Sequence, residues 1–197
     1  SGLTQTHQNN MGAFGGPDII TDGLVFAIDA GSTRSYPGSG TTGTDLISSE
    51  SITLNNGVGF STDKGGTWTF DGSDDYIQTS FGQNIVSTGF SVNFWFNVTG
   101  TATCFFMQMY VTADSNTVFR VERNSAGSNS IEFGHSANGG PISGNELIST
   151  NFPNDVWQSC TIAYNGSTKY IYRNGALDTS VSSSTIQFYT GAVSYTH

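Results

Sequence analysis

The stretch "GFSVNFWFNV", Gly89 to Val98, constrains the fold more than any other part of the chain. Phe90, Val92, Phe94 and Phe96 alternate with Ser91, Asn93, Trp95 and Asn97. Successive side chains on a β-strand point to opposite faces, so this period of two predicts a strand with one face in a core. "TVFRVER" and "SIEFGH" alternate in the same way, and "ATCFFMQMYV" is apolar on both faces, as in a strand covered on both sides. "GLVFAIDA" predicts a strand with Leu24, Phe26 and Ile28 on one face, and Gly31 to Thr44 reads as loop. "TWTFDGSDDYIQTS" predicts two short strands around a turn at Asp71-Gly72. In "VWQSCTIAYNGSTKYIYRNGALDTSV", Asn165-Gly166 and Asn174-Gly175 each separate β-prone runs. Asn and Gly tolerate the positive φ of tight hairpin turns, so a three-stranded meander is expected there.

The 197 residues suffice for one domain of sandwich size. Gly, Ser, Thr and Asn are abundant and weaken helices, while fourteen Phe and eight Tyr need burial, which excludes a disordered chain. Many short strands with regular turn signals predict two antiparallel sheets stacked about 10 Å apart. Residues 1–17 are polar and Gly-rich and read as a flexible arm or linker, with 18–197 forming the sandwich. The formal charge is −9, and the six Lys and Arg form no basic stripe. That argues against nucleic acid and anionic membrane surfaces as partners. The apolar runs are too short to span a bilayer. Cys104 and Cys160 allow either one disulfide or two buried thiols, and no Cys/His cluster points to zinc.

"FDGSDDYIQT", "GFSVNFWFNV" and "VWQSCTIAYNGSTKYIYRNGALD" occur in the order seen in concanavalin A-like lectin/glucanase domains of the laminin-G-like group. The chain resembles these domains from about Gly23 to Phe188. Its first motif is similar to their Phe-x-Gly…Asp-Tyr-Ile segment, and its last to their Trp…Tyr-x-Asn-Gly hairpin. "GGPDIITDGLVFAIDAGSTRSYPGSGTTGTDL" resembles the opening of such domains in tailed-phage structural proteins. The resemblance implies an all-β, concanavalin A-like jelly-roll β-sandwich of two antiparallel sheets. It implies a non-catalytic carbohydrate-recognition or adhesion module, on a virion or at a cell surface. The partners would be a glycan or cell-surface polysaccharide and, through the arm, other virion proteins. A ligand-free spacer and a glycoside hydrolase are the alternative readings. Two departures stand out: Gly43 occupies a position that is usually aromatic, and "ISSES" follows Asp45-Leu46 in place of a Gly-containing run. The ending "FYTGAVSYTH" predicts a sandwich cut short, lacking a closing segment and leaving an edge strand unpaired.

A glycosidase needs two suitably spaced carboxyl groups. The four Glu, at 50, 122, 132 and 146, have no acidic partner at i+2, and Asp74 and Asp75 point to opposite faces if a strand has begun, so no acid/base pair is expected. Of His7, His135 and His197, the middle one reads as a solvated loop histidine, and no Gly-x-Ser-x-Gly turn is present. Laminin-G-like domains include calcium binders, and Asp29, Asp45, Asp74 and Asp75 are the candidate ligands. The same residues could instead cap turns with their own side chains. Sugar sites need flat aromatic faces beside a few placed polar groups. Trp157 is expected in the core, and Trp68 fits either face. Trp95, flanked by Asn93 and Asn97 on the outer face, fits a ligand groove or a Trp covered by a crossing loop.

Overall fold

The computed structural model describes residues 22–79, 89–100, 103–111, 116–124, 129–135, 146–183, 186 and 192–196. The expected arm at 1–17, His7 and His197 lie outside the described residues. The strands run in chain order as β1 (Thr42–Thr44), β2 (Ser51–Asn55), β3 (Gly59–Ser61), β4 (Thr67–Thr69), β5 (Tyr76–Thr79), β6 (Phe90–Phe96), β7 (Cys104–Val111) and β8 (Asn116–Asn124). They continue as β9 (Ser130–His135), β10 (Leu147–Asn151), β11 (Gln158–Tyr164), β12 (Thr168–Arg173), β13 (Ala176–Ser182) and β14 (Ala192–Thr196). One turn of 3-10 helix, Asp63–Gly65, is the sole helical element among the described residues. The large sheet has the order β1-β2-β5-β14-β7-β8-β9-β10, the small sheet β13-β12-β11-β6, and β3-β4 form a separate ribbon. The architecture is the all-β jelly-roll sandwich that the sequence predicts.

The alternation in β6 does what a period of two requires. Phe90 reaches across to the large sheet, its ring 5.6 Å from that of Phe119 on β8 and 6.1 Å from that of Phe133 on β9. Phe119, Val121, Ile131 and Phe133 answer it from the large sheet, and Ile162 and Ile171 from the small one, all fully buried. Removing each such side chain from water contributes roughly 1.5–3 kcal/mol, so this interface between the layers is the main source of stability. A second cluster of Tyr36, Ile52, Leu54 and Ile77 lies with Phe60 and Trp68 of the β3-β4 ribbon, where Tyr36 meets Trp68 edge-on at 5.9 Å.

β7 shows no period because its ladder slips. Its register with β8 shifts between Phe105 and Met107, so one extra residue enters β7 there. Phe106 thereby turns inward with its neighbours, its ring 4.6 Å from Phe96 and 5.0 Å from Phe94. The meander forms as expected: β11 pairs with β12 and β12 with β13. Asn174 and Gly175 both take positive φ, 49° and 80°, as a two-residue hairpin turn demands.

Three expectations fail. "GLVFAIDA" is not a strand. Leu24, Phe26 and Ile28 are half-buried and Val25 is exposed, as alternation predicts. The segment is instead tied by Asp45, whose Oδ1 accepts the Ala27 N–H at 2.8 Å, and by the Leu46 N–H, which donates to Ala27 O at 2.8 Å. The loop assigned to Gly31–Thr44 ends in β1, which pairs with β2. Ala192–Thr196, expected to fall short of a closing strand, is β14, hydrogen-bonded between β5 and β7 in the middle of the large sheet. Cys104 and Cys160 are free thiols. Burial pushes both thiols up, Cys160 to about 12 with help from the Asp178 charge.

Candidate functional site

The outer face of the small sheet carries the predicted ligand residues. Ser91, Asn93, Trp95 and Asn97 are all exposed, and Trp95 most of all, at 66%. That exposure removes the reading in which a crossing loop covers the indole. Asn93 lies opposite Thr161, Thr161 opposite Tyr172, and Tyr172 opposite Leu177, a row crossing all four strands. Asn93 Nδ2 donates to Thr161 Oγ1 at 2.7 Å, which fixes the amide on this face. Tyr170 and Tyr172 stack with centroids 6.2 Å apart, and Asn165 Nδ2 donates to the Tyr170 hydroxyl at 3.1 Å. Aromatic surface thus runs from the β6 edge to the sheet centre, with polar groups between.

Trp157 corrects the sequence reading. It was expected in the core, but it is 37% exposed. The ladder between β6 and β11 ends at the pair Phe96 and Gln158, and the next residues outward are Asn97 and Trp157. The Asp155 N–H donates to Val98 O at 3.0 Å, so the two chains stay together past them. Trp157 closes a cleft of about 490 Å³ whose other walls are Ser61, Asp63, Lys64, Thr67 and Thr69 from the β3-β4 ribbon and its turn. Three hydroxyls, one carboxylate, one ammonium and one indole face a space of ligand size. Trp95 stands opposite Ser159, two residues along from Trp157.

The four candidate calcium ligands separate. Asp29 Oδ1 accepts the Gly31 N–H at 2.9 Å and closes its own turn. Asp45 is buried and accepts the N–H groups of Ala27, Ile47 and Ser48 and the Ser48 hydroxyl. Burial alone would raise its pKa, but those hydrogen bonds, the Ser48 hydroxyl first, hold it below the usual carboxylate value. Both are turn caps. Asp74 and Asp75 do come together, with Asp71, their carboxylates offering oxygens within 4.8 Å of one another. Asp75 is buried: its Oδ2 accepts the Asp71 N–H at 2.9 Å, and its Oδ1 has no partner among the described residues. This set of hard oxygen donors suits calcium.

His135 is not a solvated loop residue. It ends β9 fully buried, and burial, with the nearby Lys169 charge, lowers its pKa to about 4. Lys169 is itself buried on β12, its ammonium 4.9 Å from the centre of the Phe133 ring. Two of the four glutamates meet across neighbouring strands. Glu122 on β8 and Glu132 on β9 are Cα partners, each 7% exposed. Their side chains share one face of the ladder, and Arg120 Nη2 lies 3.0 Å from Glu122 Oε1. Burial raises the Glu122 pKa; Arg120 opposes this, and Glu132 and Glu146 add to it. Spacing along one strand could not reveal this pair, because it forms across two.

The model of the concanavalin A-like lectin/glucanases superfamily, in its laminin-G form, matches residues 71–195, and the chain belongs to that superfamily. Among solved structures, the carbohydrate binding module CBM66 from Bacillus subtilis is similar at 14% identity, covering 73% of this chain and 86% of that one, with a TM-score of 0.44. A β-glucanase from Bacillus licheniformis is 11% identical, over 80% of this chain and 72% of that one, at 0.41. An alginate lyase from Alteromonas sp. 272 is 9% identical, over 90% and 75%, at 0.42. Likeness this distant carries no argument about chemistry. No curated protein matches the chain.

Proposed function

We propose that the chain is a non-catalytic carbohydrate-recognition module that holds a glycan at the Trp95–Trp157 end of the small sheet. The supporting observation is the pairing of an exposed indole, Trp95, with a hydroxyl-lined cleft closed by a second indole, Trp157. An indole face takes the C–H side of a pyranose, and Ser61, Thr67, Thr69 and Asn97 can meet its hydroxyls. Membership of a superfamily that includes lectins agrees with this. The opening motif supports a setting on a virion or at a cell surface, with the N-terminal arm joining the module to other virion proteins.

The test is a glycan array read with wild type, Trp95→Ala and Trp157→Ala. Each variant is expected to lose roughly 10- to 100-fold in affinity, the equivalent of about 1.5–3 kcal/mol of lost aromatic contact, with Tm held. Full binding by the double variant would overturn the assignment to this face.

A further inference from the structure

Alternation along β8 puts Arg123 on the face of Phe119 and Val121, which is the core face. Arg123 is 1% exposed there. Arginine is almost never so fully buried unless hydrogen bonds hold its charge. Arg123 Nη2 donates to Gly100 O at 3.0 Å, to Asn129 Oδ1 and to Asn154 Oδ1. One nitrogen thus joins the stretch after β6, the residue before β9 and the segment between β10 and β11.

That last segment carries Trp157. The Phe152 N–H donates to Asn129 O at 3.1 Å, and Asn154 Nδ2 to Gly100 O at 2.7 Å. The Asp155 N–H reaches Val98 O, and Gln158 Nε2 donates to Pro153 O at 2.8 Å. The chain is therefore pinned on both sides of the indole. Asp155 has a φ of 59°, a left-handed conformation that costs energy outside glycine and persists where its surroundings impose it. Gly100 and Asp155 are exposed, and Asn129 and Asn154 half-buried, so Arg123 is the member of this network rooted in the core. An apolar side chain of similar size in place of a buried charge is often neutral for stability. It could not hold three loops at one point.

We propose that Arg123 is the positioning residue of the cleft: from inside the sandwich it fixes the segment that carries Trp157, and with it the distance between the indole and the β3-β4 ribbon. Without the guanidinium, water can reach the acceptors on Gly100, Asn129 and Asn154, but water is not anchored to β8. The loops would keep their hydrogen bonds and lose their place. The effect on glycan affinity rests on the function proposed above; the effect on the indole does not.

The experiment uses the full chain labelled with 5-fluorotryptophan, whose three indoles report separately by fluorine NMR. Trp157→Phe identifies the resonance of interest. Arg123→Met and Asn154→Ala are expected to shift or split that resonance, to leave those of Trp68 and Trp95 in place, and to lower affinity on the glycan array at least tenfold. Arg123→Lys still donates hydrogen bonds but ends one bond short, so it should give the smaller change in both. Asn154 lies outside the core, so its variant answers the question should Arg123→Met fail to fold. An unmoved Trp157 resonance in Asn154→Ala and in the folded Arg123 variants overturns the proposal. So does equal movement of all three resonances, which would mark a role in the fold as a whole. Wild-type affinity in a variant whose Trp157 resonance has moved also overturns it. A wild type that binds no glycan, beside a Trp157 resonance that moves alone, overturns the glycan reading and leaves the positioning role standing.

Discussion

At the level of single residues, the main departures from the sequence reading have electrostatic or steric causes. The Gly and Ser that follow His135 predict a solvated loop position, yet the residue continues the inward row of β9. Its folded pKa of about 4 lies below the ordinary value of 6.5, so between these values the unfolded chain binds the proton that the folded one excludes. Its contribution is complete above pH 6.5 and is lost as pH falls toward 4. Tm should therefore drop across that window, and less steeply in His135→Gln. Lys169→Met removes the adjacent positive charge, so the imidazole should titrate closer to 6.5, a shift readable by NMR. Gly43 illustrates a steric cause. A Cβ there would meet Ser35 O at 2.7 Å and Ile52 Cγ1 at 2.9 Å, so the aromatic usual at that position has no room in this chain. Trp95 was legible because alternation alone sets its face. Trp157 was not, because its exposure depends on where the β3-β4 ribbon sits, a contact far removed in sequence.

At the level of elements, legibility followed periodicity. β6, β8, β9 and the meander were readable because each keeps its alternation or announces its turns with Asn-Gly. β7 was recognised as a covered strand, but its extra residue could not be foreseen, since a bulge is a property of two strands. β14 was missed altogether. Five residues carry little signal alone, and their place is decided by the open ladders of β5 and β7 on either side. Truncation after Gly191 should leave those two strands without their shared partner. The shortened chain is expected to lose its cooperative unfolding transition and to aggregate through the exposed edges. A truncated protein with an unchanged Tm would show that the large sheet closes without β14.

At the level of the whole molecule, the charge of −9 limits what either face can hold. Salt screens interactions between charges but acts little on stacking or on hydrogen bonds to neutral hydroxyls. Affinity for a neutral oligosaccharide is thus expected to change less than about twofold between roughly 0.05 and 0.5 M salt. A loss of tenfold or more, measured by calorimetry, would point to an ionic ligand. The order of strands also governs how the molecule can be made. β5 and β7 belong to the middle of the chain, but the strand that joins them ends at Thr196. On the ribosome, the β7–β10 run and the meander can pair as they emerge, whereas β1, β2 and β5 cannot join the rest of the large sheet until β14 has emerged. The nascent large sheet must wait as two halves, and slow closure of this kind should make recovery of native protein depend on chaperones and low growth temperature.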